Sequence, residues 1–252
     1  MKTALVTGGA QRVGKGIVQA LANEGYAIAI HYRASEKEAA ALAQQVKDNG
    51  GHAVTVQGDL SNAEDVESLI DRACQALASP LTCLINNAST FEYDTITTLT
   101  PETWSTQLAV NLQAPAFLSQ AFAAQLPTGD AGCIINILDQ RIEYPNPTFL
   151  SYGISKVGLA SLTESLAIAL APHIRVNGVA PGLTLPSGQQ TQAQFEQAQS
   201  RHLLGAGPSV ADIAQAVTYL VNATVVTGQI LFVDGGERFH SDRNENDIIG
   251  SS

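Results

Sequence analysis

Thr3-Ala-Leu-Val-Thr7 runs directly into Gly8-Gly-Ala-Gln-Arg-Val-Gly14-Lys-Gly16, and a helical pattern follows to about residue 23. A short apolar strand, a glycine turn and a helix in immediate succession leave few folds open. Glycine lets the backbone approach a pyrophosphate, and the N-terminus of the helix behind it favours that charge. The unit reads as the opening of a dinucleotide-binding sheet, with Gly8, Arg12, Val13 and Gly14 expected against the cofactor. The spacing is not GxGxxG, so that motif is not claimed.

The remaining chain alternates in the same manner. Strands are expected at 26–32, 53–57, 81–85, 132–137, 174–179 and 229–233. Helices are expected at 35–49, 62–78, 151–171 and 210–222, with another at 102–125 interrupted near Pro115. This predicts a single doubly wound parallel sheet of about seven strands, helices on both faces, over residues 1–239. With 252 residues, 45% of them hydrophobic, the chain can bury such a core. Residues 240–252 are polar and expected to be disordered. The polar, glutamine-rich stretch 184–207 reads as a lid over the substrate or as a surface insertion.

No run approaches the length of apolar sequence a membrane span needs, and the first residues enter a strand with no cleavage-type segment. A cytoplasmic protein is expected. A formal net charge of −10 argues against nucleic acid. Cys74, Cys83 and Cys133 read as buried thiols, far apart along the chain, and neither they nor the five histidines show metal-ligand spacing.

Three stretches carry chemistry. The second strand ends in Tyr32, Arg33 and Ser35, where a unit that binds NAD would place an acid to hold the ribose 2′-hydroxyl. A guanidinium and a hydroxyl suit a 2′-phosphate instead, so the expected cofactor is NADPH. Asn86-Asn87-Ala88-Ser89 closes the fourth strand, at the sheet edge where open α/β folds bind ligands. Leu150-Ser-Tyr-Gly-Ile-Ser-Lys156 opens the long helix and puts Tyr152 and Lys156 on one face. A free tyrosine has a pKa near ~10, and a neighbouring ammonium is expected to lower it and make the hydroxyl a usable acid.

Taken together, the chain resembles a short-chain dehydrogenase/reductase from Thr3 to about Phe239, and within that superfamily it is most similar to the pteridine reductases. The resemblance matches Thr7 to Gly14 to a TGxxxGxG turn with Arg12 at the middle glycine, and Asn86 to Ser89 to an NNAG run. It implies that Asn111 anchors a water beside Lys156, and that Pro181-Gly182 contacts the nicotinamide amide. Asp59, with Leu60, would meet the adenine, though Asp59 equally suits a turn cap. Ser89-Thr-Phe91 replaces a glycine-led turn, and Asp139 stands where most members have serine. Phe91 reads as a pterin-stacking ring or, equally, as lid packing.

The implied protein is a homotetramer built partly on the 102–125 and 151–171 helices. Its implied reaction is hydride transfer from NADPH to a dihydropterin, with no metal. Tyr152 is the expected proton donor, Lys156 orients the nicotinamide ribose, Asp139 supports the proton, and Arg12, Ser89 and Phe91 join them against the substrate. A 3-oxoacyl-carrier-protein reductase is the rival of the same fold, expected to carry serine at 139 and glycine at 12. A catalytically silent NADPH-binding sensor is the rival of another class, free to lose Tyr152 or Lys156.

Overall fold

The structure, a computed structural model, describes residues 2–239 apart from 145 and 189. The tail expected to be disordered lies outside the described residues. Strand β1 (Thr3–Val6) sits inside a seven-stranded sheet with β2 (Ala27–Tyr32), β3 (Ala53–Gln57), β4 (Cys83–Asn86), β5 (Gly132–Ile137), β6 (Ile174–Pro181) and β7 (Ile230–Val233). All pairings are parallel, in the order β3-β2-β1-β4-β5-β6-β7. The order reverses between β1 and β4, and the crevice at such a switch point is where this architecture receives ligands.

Alternation along each strand divides the core into two layers. Val6, Ile28, Ile30 and Ile85 face one side of the sheet, where α1 (Arg12–Asn23), α2 (Glu36–Asp48) and α8 (Val210–Asn222) bring Ile17, Leu42 and Val217. Leu5, Ala29, Leu84 and Ile134 face the other, against Leu69 of α3 (Ala63–Leu77) and Phe122 of α5 (Ala114–Gln125). Each fully buried Leu, Ile or Phe contributes about 1.5–3 kcal/mol relative to exposure.

The helix expected at 102–125 is two helices, α4 (Pro101–Leu108) and α5, joined by a π turn at Ala109–Gln113. The break falls one turn before Pro115 because a proline ring crowds the carbonyl four residues back, here Asn111. The ladder loosens there and Asn111 is carried in the widened turn. The reading of the apolar runs also needs correction. Helix α6 (Leu150–Leu170), mean hydropathy 1.2, is long and apolar enough to cross a membrane by length and composition. In this fold its inner face instead packs on the sheet, with Tyr152, Lys156 and Leu159 buried. Cys83 and Cys133, far apart in sequence, lie in register on β4 and β5 as free thiols, and Cys74 is only half-buried.

Candidate functional site

A cavity of 690 Å³ opens along the carboxyl ends of the strands. Its floor is the glycine turn. Gly8 has φ +60°, and a Cβ on Gly14 would lie 2.2 Å from the Gly8 carbonyl oxygen. Asn87 ties this turn to β4: its Nδ2 donates to the carbonyls of Thr7 (2.8 Å) and Gly8 (3.2 Å). Thr7 Oγ1 accepts from the amides of Asn87 and Ala88. The N-cap of α1, Gln11, makes no side-chain cap, and no acid stands in the first turn, so the helix start is suited to an anion. Arg12, where a glycine is usual, takes φ +51°, and its Nη2 donates to the Pro186 carbonyl across the cleft, 3.1 Å away.

Tyr32, Arg33, Ser35, Asp59 and Leu60 line one end of the cavity. Asp59 accepts from the Ser61 hydroxyl (2.7 Å) and amide (2.9 Å). Those bonds, with Arg33 adding its charge, hold its carboxyl below the usual carboxylate range. Asp59 thus caps the turn before α3, while the helix itself is capped by Asn62, whose side chain accepts from the amides of Glu64 and Asp65.

Asp139, Tyr152, Lys156, Pro181, Gly182, Ala88, Ser89 and Phe91 line the other end. Tyr152 donates its hydroxyl to Asp139 Oδ2 at 2.8 Å. Asp139 is fixed in turn, since its Oδ1 accepts the Arg141 amide at 2.8 Å and caps a short 3₁₀ turn at Gln140–Glu143. Lys156 Nζ donates to the Ile137 carbonyl at 2.8 Å and lies 5.7 Å from the Tyr152 ring centroid. Here the expectation for Tyr152 is corrected. Burial, then the charge and hydrogen bond of Asp139, push its pKa well above the ordinary value. Lys156 points a donor at β5, and burial lowers its own pKa to about 8. The charge closest in effect to the phenol is an acid, not the ammonium.

Phe91 stacks on Phe149 (centroids 4.2 Å apart, planes 9°) and meets Tyr152 edge-on at 4.7 Å. Asn111 stands behind the cavity wall, fully buried, and does not line it. Its Oδ1 accepts from the Ser89 hydroxyl and the Thr90 amide, and its Nδ2 donates to the Thr90 carbonyl and Ser155 hydroxyl. Both acceptor positions and both donors of the side chain are therefore taken by protein groups. The asparagine side chain clamps the 89–90 loop to α6.

Several residues of the site have no local signature in the sequence. His31, buried on β2, accepts the Gly8 amide at Nδ1 (3.0 Å) and faces the Gly58 carbonyl from Nε2 (3.1 Å). With Nδ1 an acceptor, Nε2 carries the proton; burial lowers its pKa to about 4, so the ring is neutral. Glu237 Oε2 accepts the Leu183 amide (2.8 Å) and meets His202 Nε2 (3.2 Å). That contact joins the segment after α7 (Gln192–Gln199) to the 3₁₀ turn Glu237–Phe239 that follows β7. Burial opposes the charged form of His202, but Glu237 outweighs it and raises the pKa. Arg141 and Phe149 became neighbours of Phe91 only through the turn between β5 and α6.

The short chain dehydrogenase family pattern matches residues 2–197. Among solved structures, the chain is similar to FolM, alternative dihydrofolate reductase 1, from Brucella canis, complexed with NADP. That likeness has a TM-score of 0.92 and 39% identity, covering 97% of this chain and 96% of that one. Among curated proteins it is 30% identical to the 3-oxoacyl-[acyl-carrier-protein] reductase FabG of Staphylococcus aureus, over 93% of this chain and 97% of that protein. It is equally 30% identical to glucose 1-dehydrogenase 2 of Bacillus subtilis, over 93% and 94%. With its parallel sheet, its glycine turn and Tyr152 and Lys156 on one buried helix face, the chain belongs to the short-chain dehydrogenase/reductase family.

Proposed function

We propose that this protein is an NADPH-dependent reductase of dihydropterins, yielding tetrahydropterins. The observation that carries the reading is the 2.8 Å hydrogen bond from Tyr152 to Asp139 beside the Phe91 ring. A carboxylate there serves a substrate that must be protonated on a ring nitrogen, which a simple ketone lacks. The similarity to an NADP-complexed alternative dihydrofolate reductase supports it. Two further readings are open to other members of the fold. The likeness to FabG favours a 3-oxoacyl-carrier-protein reductase, but Asp139 and Arg12 stand where serine and glycine are expected of one. A silent NADPH-binding sensor has no need of both Tyr152 and Lys156.

The residues present fit the cofactor. The Gly8–Gly14 cradle has no room for a Cβ at Gly14, the α1 start is free of acids, and Arg33 and Ser35 line the cavity with groups that suit a 2′-phosphate. Bound NADPH supplies the hydride. Lys156 would orient the ribose, and Pro181 and Gly182, which line the cavity, would border the nicotinamide. Tyr152 would give its proton to the ring nitrogen of the substrate, with Asp139 holding the phenol in line. Phe91 offers a face to the pterin, and stacking of this kind adds ~0.5–1.5 kcal/mol beyond area burial. Arg12 keeps guanidinium donors besides the one bonded to Pro186 that would meet ring acceptors, with Ser89 at the edge. We also propose a homotetramer packed through α5 and α6.

The deciding assay is steady-state turnover with NADPH of dihydrobiopterin or dihydromonapterin beside an acetoacetyl thioester. Pterin turnover is expected. Turnover of the thioester alone puts the acyl-carrier reading in its place, and turnover of neither favours the sensor.

A further inference from the structure

Arg141 leaves the turn two residues after Asp139 and lines the cavity. Its guanidinium carbon lies 5.6 Å from the centroid of Phe91 and 5.1 Å from that of Phe149. The ring pair and the backbone bond to Asp139 fix its position. Yet its Nη1 is buried and, among the described residues, finds no hydrogen-bond partner. The neighbouring cations differ in having partners already: Lys156 Nζ donates to the Ile137 carbonyl and Arg12 Nη2 to the Pro186 carbonyl. A buried guanidinium edge without an acceptor costs stability, and a ligand acceptor offsets that cost.

The chemistry of that acceptor can be narrowed. A guanidinium presents a planar fork that matches a carboxylate in two parallel bonds. Asp139, two residues away, repels an anionic substrate unless a cation beside it compensates. The proton-accepting side of the ring already belongs to Tyr152 and Asp139, so Arg141 remains for a group attached to the ring. Resting on the reading of the site as a pterin reductase, we infer that Arg141 recognises a carboxylate on the substituent of the reducible heterocycle. Acid-bearing substrates, the dihydrofolate class, are then favoured over neutral dihydropterins.

The test compares the unaltered protein, Arg141→Met and Arg141→Lys in kcat/KM for dihydrofolate and for dihydrobiopterin at saturating NADPH. Arg141→Met is expected to lower the dihydrofolate value at least about tenfold, through KM, and to leave dihydrobiopterin within about threefold. Arg141→Lys restores part of the loss. p-Aminobenzoylglutamate, which carries the carboxylates without the ring, is expected to inhibit the unaltered protein more strongly than its neutral diamide does. That preference disappears in Arg141→Met. Equal losses on both substrates, no loss on either, or equal inhibition by acid and diamide overturns the assignment. Absence of any pterin turnover by the unaltered protein instead overturns the proposed function, and this inference with it.

Discussion

Tyr152 and Asp139 share one hydrogen bond, and each constrains the other. Burial first, and then the Asp139 carboxylate, keep the phenol protonated to well above its ordinary pKa, so the proton is present at neutral pH for transfer to a substrate nitrogen. Tyr152→Phe keeps the ring against Phe91 and removes the donor. General acid catalysis supplies ~10²–10⁴-fold, so kcat for a dihydropterin is expected to fall by that order while NADPH binding, read by fluorescence titration, persists. Lys156 gives a second, independent expectation. Its pKa in the cofactor-free fold is about 8, against 10.5 for an ordinary lysine. Between those values the unfolded chain holds a proton that the folded chain has lost. Stability attributable to this residue therefore rises as pH increases through that window, and the cost of burying the charge is fully felt below it. Relative to Lys156→Met, the unaltered protein is expected to gain on the order of 3 kcal/mol between pH 7 and 10. Urea midpoints at the two pH values measure it, and an unchanged difference would refute the burial argument.

Elements meet at His31. Its ring spans the β1–α1 turn at Gly8 and the end of β3 at Gly58, so a single neutral imidazole sets the spacing of both loops that border the cofactor. Its pKa is lowered to about 4 from 6.5. As pH falls through that interval the unfolded chain gains a proton the folded chain refuses, and stability is lost by up to about 3 kcal/mol. His31→Gln is expected to flatten the fall between pH 6.5 and 4.5, measured as thermal midpoint against pH; an equally steep fall in the variant would place its cause elsewhere. The start of α1 offers a different test. Arg12 takes a left-handed conformation that costs a residue with a Cβ about 1–2 kcal/mol. Arg12→Gly is thus expected to be more stable than Arg12→Ala by about 1 kcal/mol, although both lose the bond to Pro186. Equal stabilities would show that the turn relaxes.

At the scale of the whole molecule, α6 presents two unlike faces. Inward it buries Tyr152, Lys156 and Leu159; outward it exposes Ile154, Val157 and Ile168, with Phe117 of α5 also exposed. Ile168 is 82% exposed, which an isolated chain has no reason to maintain on a helix this apolar. The proposed tetramer covers that face. Sedimentation of the unaltered protein is expected to give a tetramer, and Ile168→Glu a smaller species with the same far-ultraviolet circular dichroism. A monomeric unaltered protein would remove the proposal.

The sequence by itself determined the sheet and the helices around it, because alternation and periodicity are local properties: β3, β5 and α8 stand at the residues expected for them. It also marked Tyr152 and Lys156, whose spacing on one helix is local too. Tertiary structure decided what those residues face. Nothing near position 152 says that an acid thirteen residues earlier will take its hydroxyl, while Lys156 turns to a strand carbonyl. Nor does the sequence tell that the side chain of Asn111, carried in a π turn, will bind both the 89–90 loop before it and Ser155 of α6 after it. The parts of the site read incompletely, the tyrosine's protonation, the side-chain partners of Asn111, and the places of His31, Arg141 and Glu237, all depend on burial and on partners from other elements. A desolvated group's charge is set by what surrounds it in space, and only the folded chain supplies that.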